Sequence, residues 1–276
     1  MSANRVLVLG GTGKTGRRVA ARLAARGLAV RIGSRSAAPP FDWETPATWR
    51  EALREVDAVY VAYQPDVAAP GAAAAIQSLT ELAAASGVRR LVLLSGRGEP
   101  EAERCEQVVR DSGLEWTLVR ASWFAQNFSE GFLLDAVLSG EVALPAGTVG
   151  EPFVDVDDIA DVAAAALSEP RHAGKLYEVT GPRLLTFAAA VAEIGRASGR
   201  SVRYVQVSRE AYAAALREAR LPEPLVSLII YLFAEVLDGR NASVADGVTC
   251  ALGRPPRDFA DYARDAAASR VWNPGA

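Results

Sequence analysis

Apolar positions in the first half of the chain fall in short runs that alternate with amphipathic stretches. Val6-Leu7-Val8-Leu9 is an unbroken apolar run, as a parallel strand buried on both faces requires. Val19, Ala20, Leu23 and Ala24 share one stripe at helical spacing, Arg18, Arg22 and Arg26 line the other side, and Gly27 stands where a helix should stop. The arginine side reads as a solvated face. Ala29-Val30-Arg31-Ile32 follows as a second strand. Further on, Asp57–Ala62, Arg90–Ser95 and Trp116–Arg120 take the fourth, fifth and sixth strand positions, with helices predicted over Ala72–Ser86 and Glu101–Ser112. Such repeated units predict an α/β fold with a doubly wound parallel sheet. The sheet is expected over residues 1–120, completed by 151–182. A smaller, mainly helical substrate lobe is expected over 121–150 and 183–276.

Between the first strand and helix the chain reads Gly10-Gly11-Thr12-Gly13-Lys14-Thr15-Gly16. Glycines at three-residue spacing there describe the dinucleotide cradle of a Rossmann sheet. Gly10 allows the tight turn, Gly13 admits backbone to a pyrophosphate, and Gly16 lets helix pack on strand. Thr12, Lys14 and Thr15 complete the phosphate loop at the positive end of the helix. A P-loop needs a further glycine five residues before Gly13, where Val8 stands. No acidic residue occurs before Asp42, so the carboxylate that holds the NAD ribose is missing. Ser34 and Arg35 instead offer a hydroxyl and a guanidinium to a 2′-phosphate, which favours NADP. The plainer reading of Arg35 is a solvated loop arginine.

Composition narrows the alternatives. The chain has 276 residues, half of them apolar, and a net charge of −3, so nothing recommends a nucleic-acid partner. Of its first 41 residues eight are Lys or Arg, mostly along one helix. Met1-Ser2-Ala3-Asn4-Arg5 runs straight into the first strand with no room for a signal peptide, and the longest apolar run, Leu225–Leu237, is too short to span a bilayer. A cytoplasmic location and no membrane are expected. Cys105, Cys250 and the single histidine, His172, form no metal-ligand pattern, so no metal is expected; His172 reads as part of a surface turn. A homodimer is compatible with the sequence.

Several segments together resemble the NmrA-like branch of the atypical short-chain dehydrogenases. They are the glycine turn, Val88–Ser95, Gly113–Arg120 leading to Trp123-Phe124-Ala125-Gln126-Asn127-Phe128, Phe153–Ala160, and Tyr177–Pro182. Phe41-Asp42-Trp43 and Leu252-Gly253-Arg254-Pro255-Pro256 are similar to the ergot-alkaloid dehydrogenase-like and NAD(P)H quinone oxidoreductase-like group within it. The resemblance implies an NADP-binding fold, with Asp42 and Trp43 near the cofactor. Its members divide between reductases of quinones, azo compounds and imines and redox-sensing regulators that act through a protein partner.

The Tyr-x-x-x-Lys pair with which short-chain dehydrogenases protonate a carbonyl is missing. The two lysines, Lys14 and Lys175, have Gly10 and Arg171 four residues earlier. Hydride transfer to an imine, quinone or similar electron-poor acceptor needs less protonation and draws chiefly on positioning. A sensor needs none. Topology places Tyr63 and Gln64 beside the inner ribose and nicotinamide, and Ser95 at the end of its strand. Trp123 and Asn127 stand on the nicotinamide side, so Ser95, Trp123 and Asn127 are the candidate reacting and positioning residues. The apolar 222–237 segment reads as core or as a lid for an apolar or aromatic substrate.

Overall fold

A computed structural model describes residues 5–273; Met1–Asn4, read above as leading into the first strand, lie outside the described residues. In chain order the elements are β1 (Arg5–Leu9), α1 (Lys14–Ala25), β2 (Ala29–Gly33), α2 (Trp49–Leu53), β3 (Ala58–Val61), α3 (Ala72–Ala85), β4 (Arg90–Gly96), α4 (Pro100–Asp111) and β5 (Glu115–Ala121). There follow α5 (Asn127–Glu130), α6 (Leu134–Ser139), β6 (Glu141–Leu144), α7 (Val156–Ser168), β7 (Lys175–Val179), α8 (Phe187–Ser198), β8 (Arg203–Gln206), α9 (Arg209–Glu218), α10 (Glu223–Tyr231), α11 (Gly247–Leu252) and α12 (Phe259–Ala268). They form two compact units.

The first unit runs from β1 to β5 and takes in α7, β7 and α11. Its six strands are all parallel in the order β2-β1-β3-β4-β5-β7, a doubly wound Rossmann sheet. Leu7, Leu9, Val59, Val61, Leu91 and Leu93 bury one face against α2, α3 and α4. On the other face α1 and α7 pack side by side. The arginines of α1 are not a solvated face. Arg22 spans Asp157 and Asp161 of α7, and Arg18 Nε lies 3.4 Å from Asp157. Four apolar residues cannot cover both sheet and neighbouring helix, so the long arginine stems and their charges join α1 to α7.

Two further expectations change in this unit. No strand forms between β2 and β3; Pro39, Pro40 and Pro46 withhold ladder donors, and Phe41, Trp43 and Trp49 pack as an aromatic cluster there. The sheet reaches six strands through β7 instead. His172, read as a surface residue, is 0 % exposed, with Nδ1 2.8 Å from the Tyr177 hydroxyl. A short 3-10 turn, Pro170–His172, folds its ring under the sheet edge, and burial lowers its pKa.

The second unit holds α5, α6, β6, α8, β8, α9, α10 and α12. Residues 246–254, by contrast, belong to the first: α11 seats Gly247 so close to Glu178 that a Cβ there would lie 2.1 Å from its carbonyl oxygen. The second unit is helical around a core of Phe128, Phe153, Phe187, Phe259, Tyr262 and Trp272. It also holds a parallel β6–β8 pair that helical expectations for 183–276 missed. Both strands have four residues, and β8 alternates no buried position, so periodicity carries no signal. Arg183 clamps the unit by forking onto Glu193 and Asp258 at 2.7–2.9 Å.

Candidate functional site

The turn between β1 and α1 is built so that side chains are excluded. Gly10 has φ 65°, in the region that favours glycine. A Cβ on Gly16 would lie 2.2 Å from the Gly10 carbonyl oxygen, and one on Gly11 would lie 2.8 Å from that of Val8. Gly11 is therefore fixed by packing as firmly as Gly16, which the three-residue spacing does not reveal. Gly13, by contrast, has φ −78° and is the N-cap of α1. No side chain caps the first turn of α1 and no acidic residue stands in it. Backbone donors and the helix dipole thus meet whatever binds in the concavity. Thr12 is exposed, Lys14 half-buried and Thr15 buried at the base.

At the ends of the adjoining strands, Ser34 and Arg35 follow β2 with Arg35 exposed; Ser34 Oγ lies 3.3 Å from Ser36 Oγ. Gly33 is pressed against Leu9, where a Cβ would lie 2.5 Å from its side chain. Asp42 is occupied locally: its carboxylate accepts the Glu44 N–H at 3.1 Å and the Thr45 hydroxyl at 3.4 Å. The Trp43 ring centroid lies 4.7 Å from that of Tyr63, so these two form one aromatic wall past β2 and β3. Gln64, next to Tyr63, is exposed.

Ser95 is 3 % exposed, and its hydroxyl donates to Glu106 Oε1 at 2.7 Å. Glu106 also takes Arg120 in a fork, Nε at 2.8 Å and a terminal nitrogen at 2.5 Å. Arg120 reaches on to Glu178 at 3.0 Å, and Arg97 meets the other oxygen of Glu178 at 3.3 Å. The chain Ser95–Glu106–Arg120–Glu178–Arg97 ties the carboxyl ends of β4, β5 and β7 to one another and to the middle of α4. Glu106, Arg97 and Glu178 escaped the sequence reading because each looks like an ordinary surface charge until the strands align.

The remaining two candidates lie in the second unit. Trp123 packs at 5.3 Å on Phe187 and 5.0 Å on Phe233. Asn127 opens α5, its N–H donating to the Phe124 carbonyl at 3.1 Å and its carbonyl accepting from Leu133 at 3.2 Å. The apolar 222–237 segment forms α10 and then a π-helical turn, Leu232–Val236. Phe233 on that turn joins the Trp123 cluster to a groove of about 510 Å³ lined by Pro145, Val149, Arg209, Phe233 and Leu237.

A parallel sheet with a side-chain-free glycine turn feeding an uncapped helix defines a dinucleotide-binding protein. Residues 10–170 match the NAD(P)H-binding family model and residues 102–258 the NmrA-like family model. The chain belongs to the NmrA-like family of NAD(P)H-dependent oxidoreductases. It is 33 % identical to an NAD(P)H azoreductase of Xenophilus azovorans, covering 96 % of this chain and 98 % of that protein. It is 30 % identical to agroclavine dehydrogenase of Claviceps fusiformis over 97 % and 98 %. The fold also matches an NADPH-dependent quinone oxidoreductase from Escherichia coli solved with NADPH, with TM-score 0.76, 23 % identity, and 94 % and 99 % of the two chains covered. Among the described residues no helix is long and apolar enough to cross a membrane.

Proposed function

We propose that this protein binds NADPH and transfers its hydride to a small, electron-poor, apolar or aromatic acceptor of the quinone, azo or imine kind. The observation that carries the cofactor reading is the turn itself. Gly10, Gly11 and Gly16 leave a concavity bounded by backbone, opening on an α1 terminus without a side-chain cap or an acid. Gly13, Thr12, Lys14 and Thr15 hold the pyrophosphate, Ser34 and Arg35 hold the 2′-phosphate, and Tyr63 and Gln64 border the ribose. Trp43 extends the wall made by Tyr63. Asp42 acts by shaping that loop, since its carboxylate is already engaged.

The bound cofactor supplies the hydride; everything else falls to the protein. Ser95 keeps the strand ends in register through Glu106 and Arg120, so its effect on the reaction is one of positioning. In the second unit, Trp123, held by Phe187 and Phe233, and Asn127, at the start of α5, are the residues assigned to placing the acceptor. The resemblance to an NAD(P)H azoreductase and to an agroclavine dehydrogenase supports this acceptor class. The test is titration with NADPH and NADH, followed by absorbance of the nicotinamide with a panel of quinones, azo dyes and cyclic iminium ions. Tight NADPH binding with turnover of at least one acceptor is expected. Tight binding without any turnover would favour a sensor.

A further inference from the structure

Glu99 lies in the loop between β4 and α4 and is 8 % exposed. Its carboxylate folds back over Gly96, the last residue of β4; a Cβ on Gly96 would lie 2.4 Å from Oε2 and 2.5 Å from Oε1. Oε2 is buried and has no hydrogen-bond partner. The group that acts on it electrostatically is another carboxyl, Asp66, in the loop leaving β3. Asp66 itself accepts the Ala68 N–H at 2.9 Å. Because β3 and β4 are neighbours, both carboxyls stand at the carboxyl edge of the sheet, one strand from the reversal between β1 and β3 where such sheets bind ligands.

The surrounding charges do not relieve this pair. Arg97 meets Glu178, and Arg104 pairs with Glu101, which also accepts the Ala73 N–H. The thiol of Cys105, packed below, donates to the Val67 carbonyl and is pushed up to about 12 by burial and Glu101. Burial first, then the charge of Asp66, pushes the Glu99 carboxyl up to about 8, and burial raises Asp66 as well. At neutral pH the pair therefore retains a proton.

We propose that Glu99 is the proton donor of the reduction, taking the role that a Tyr-x-x-x-Lys pair fills elsewhere. This rests on the reductase reading above. When a hydride equivalent from NADPH adds to a quinone or azo acceptor, an electron pair moves onto the acceptor's oxygen or nitrogen. That pair takes the Glu99 proton: the carboxyl O–H bond breaks, the acceptor O–H or N–H bond forms, and water later reprotonates the carboxylate. An iminium ion takes the hydride alone and needs no proton.

Two measurements test this. Infrared titration of the cofactor-free protein should show a protonated-carboxyl band that fades as pH rises through about 8 and is missing from Glu99→Gln. In steady-state kinetics Glu99→Gln should lower the ratio of quinone to iminium turnover by roughly a hundredfold to ten-thousandfold, the usual contribution of a general acid. Asp66→Asn, which keeps Glu99 and removes its neighbour's charge, should move the band and the alkaline limb of quinone turnover to lower pH together. A Glu99 carboxyl fully ionised by pH 6, or equal slowing with quinone and iminium, would overturn the proposal. A wild type active on quinones whose Glu99→Gln variant is equally active overturns the donor role alone. A wild type that reduces no acceptor overturns the reductase reading and the donor role with it.

Discussion

Replacing Ser95 with alanine separates a reacting hydroxyl from a structural one. The hydroxyl is spent at 2.7 Å on the buried carboxylate of Glu106, which keeps its fork with Arg120 when the serine is lost. The loss is one hydrogen bond to a charged acceptor, about 1.5–3 kcal/mol. At roughly 2–4 °C per kcal/mol for a chain of this size class, Tm should fall by about 3–12 °C. Removing Glu106 instead should cost more, because Arg120 then loses both bonds of its fork and keeps only Glu178. The assays are thermal unfolding and quinone turnover side by side. Ser95→Ala should lose less than about tenfold in kcat, short of the roughly hundredfold that a 1 Å misplacement costs, because the hydroxyl is engaged with Glu106 and not with a reacting group. A hundredfold loss of kcat with Tm unchanged would refute this, and would mean that the hydroxyl meets the substrate.

Gly13→Val should abolish NADPH binding by calorimetry while circular dichroism stays native, since φ −78° admits a β-branched residue. Gly16→Ala should unseat α1 as well, because its Cβ meets backbone at 2.2 Å. Arg35→Ala should weaken NADPH about tenfold to a hundredfold, the equivalent of about 1.5–3 kcal/mol, and leave NADH affinity within twofold or so; equal losses would make Arg35 a loop arginine only. Stability should fall as pH rises from 4.5 to about 8, since the folded protein holds a proton on Glu99 that the unfolded chain releases above its ordinary value. Glu99→Gln should flatten that slope in urea titrations.

The Rossmann half was legible because its signals are local. Val6–Leu9, the glycine turn and the stripe of α1 lie within 20 residues and need no tertiary contact to be read. What escaped depends on neighbours distant in sequence. The solvated appearance of Arg18 and Arg22 reverses once Asp157 and Asp161, 135 or more residues away, are packed beside them. Glu99 and Asp66 become a pair only because β3 and β4 lie side by side. His172 reads as turn from Pro170 and Gly174, yet Tyr177 two residues into β7 draws its ring inward. The hydroxyl of Ser95 was legible as a strand-end group, but its acceptor Glu106 sits on the far side of the β4–α4 connection. In the second unit the aromatic motif from Trp123 to Phe128 was visible, whereas β6 and β8 are too short for any period to register.

The central claim, hydride transfer from NADPH to an organic acceptor, is tested most directly with NADPH carrying deuterium at the transferable position and a cyclic iminium acceptor, whose new C–D bond does not exchange with water. One deuterium should appear in the product for each NADPH oxidised, from one face of the nicotinamide only. Tight NADPH binding with unlabelled product, or with no product at any protein concentration across the acceptor panel, would contradict the account.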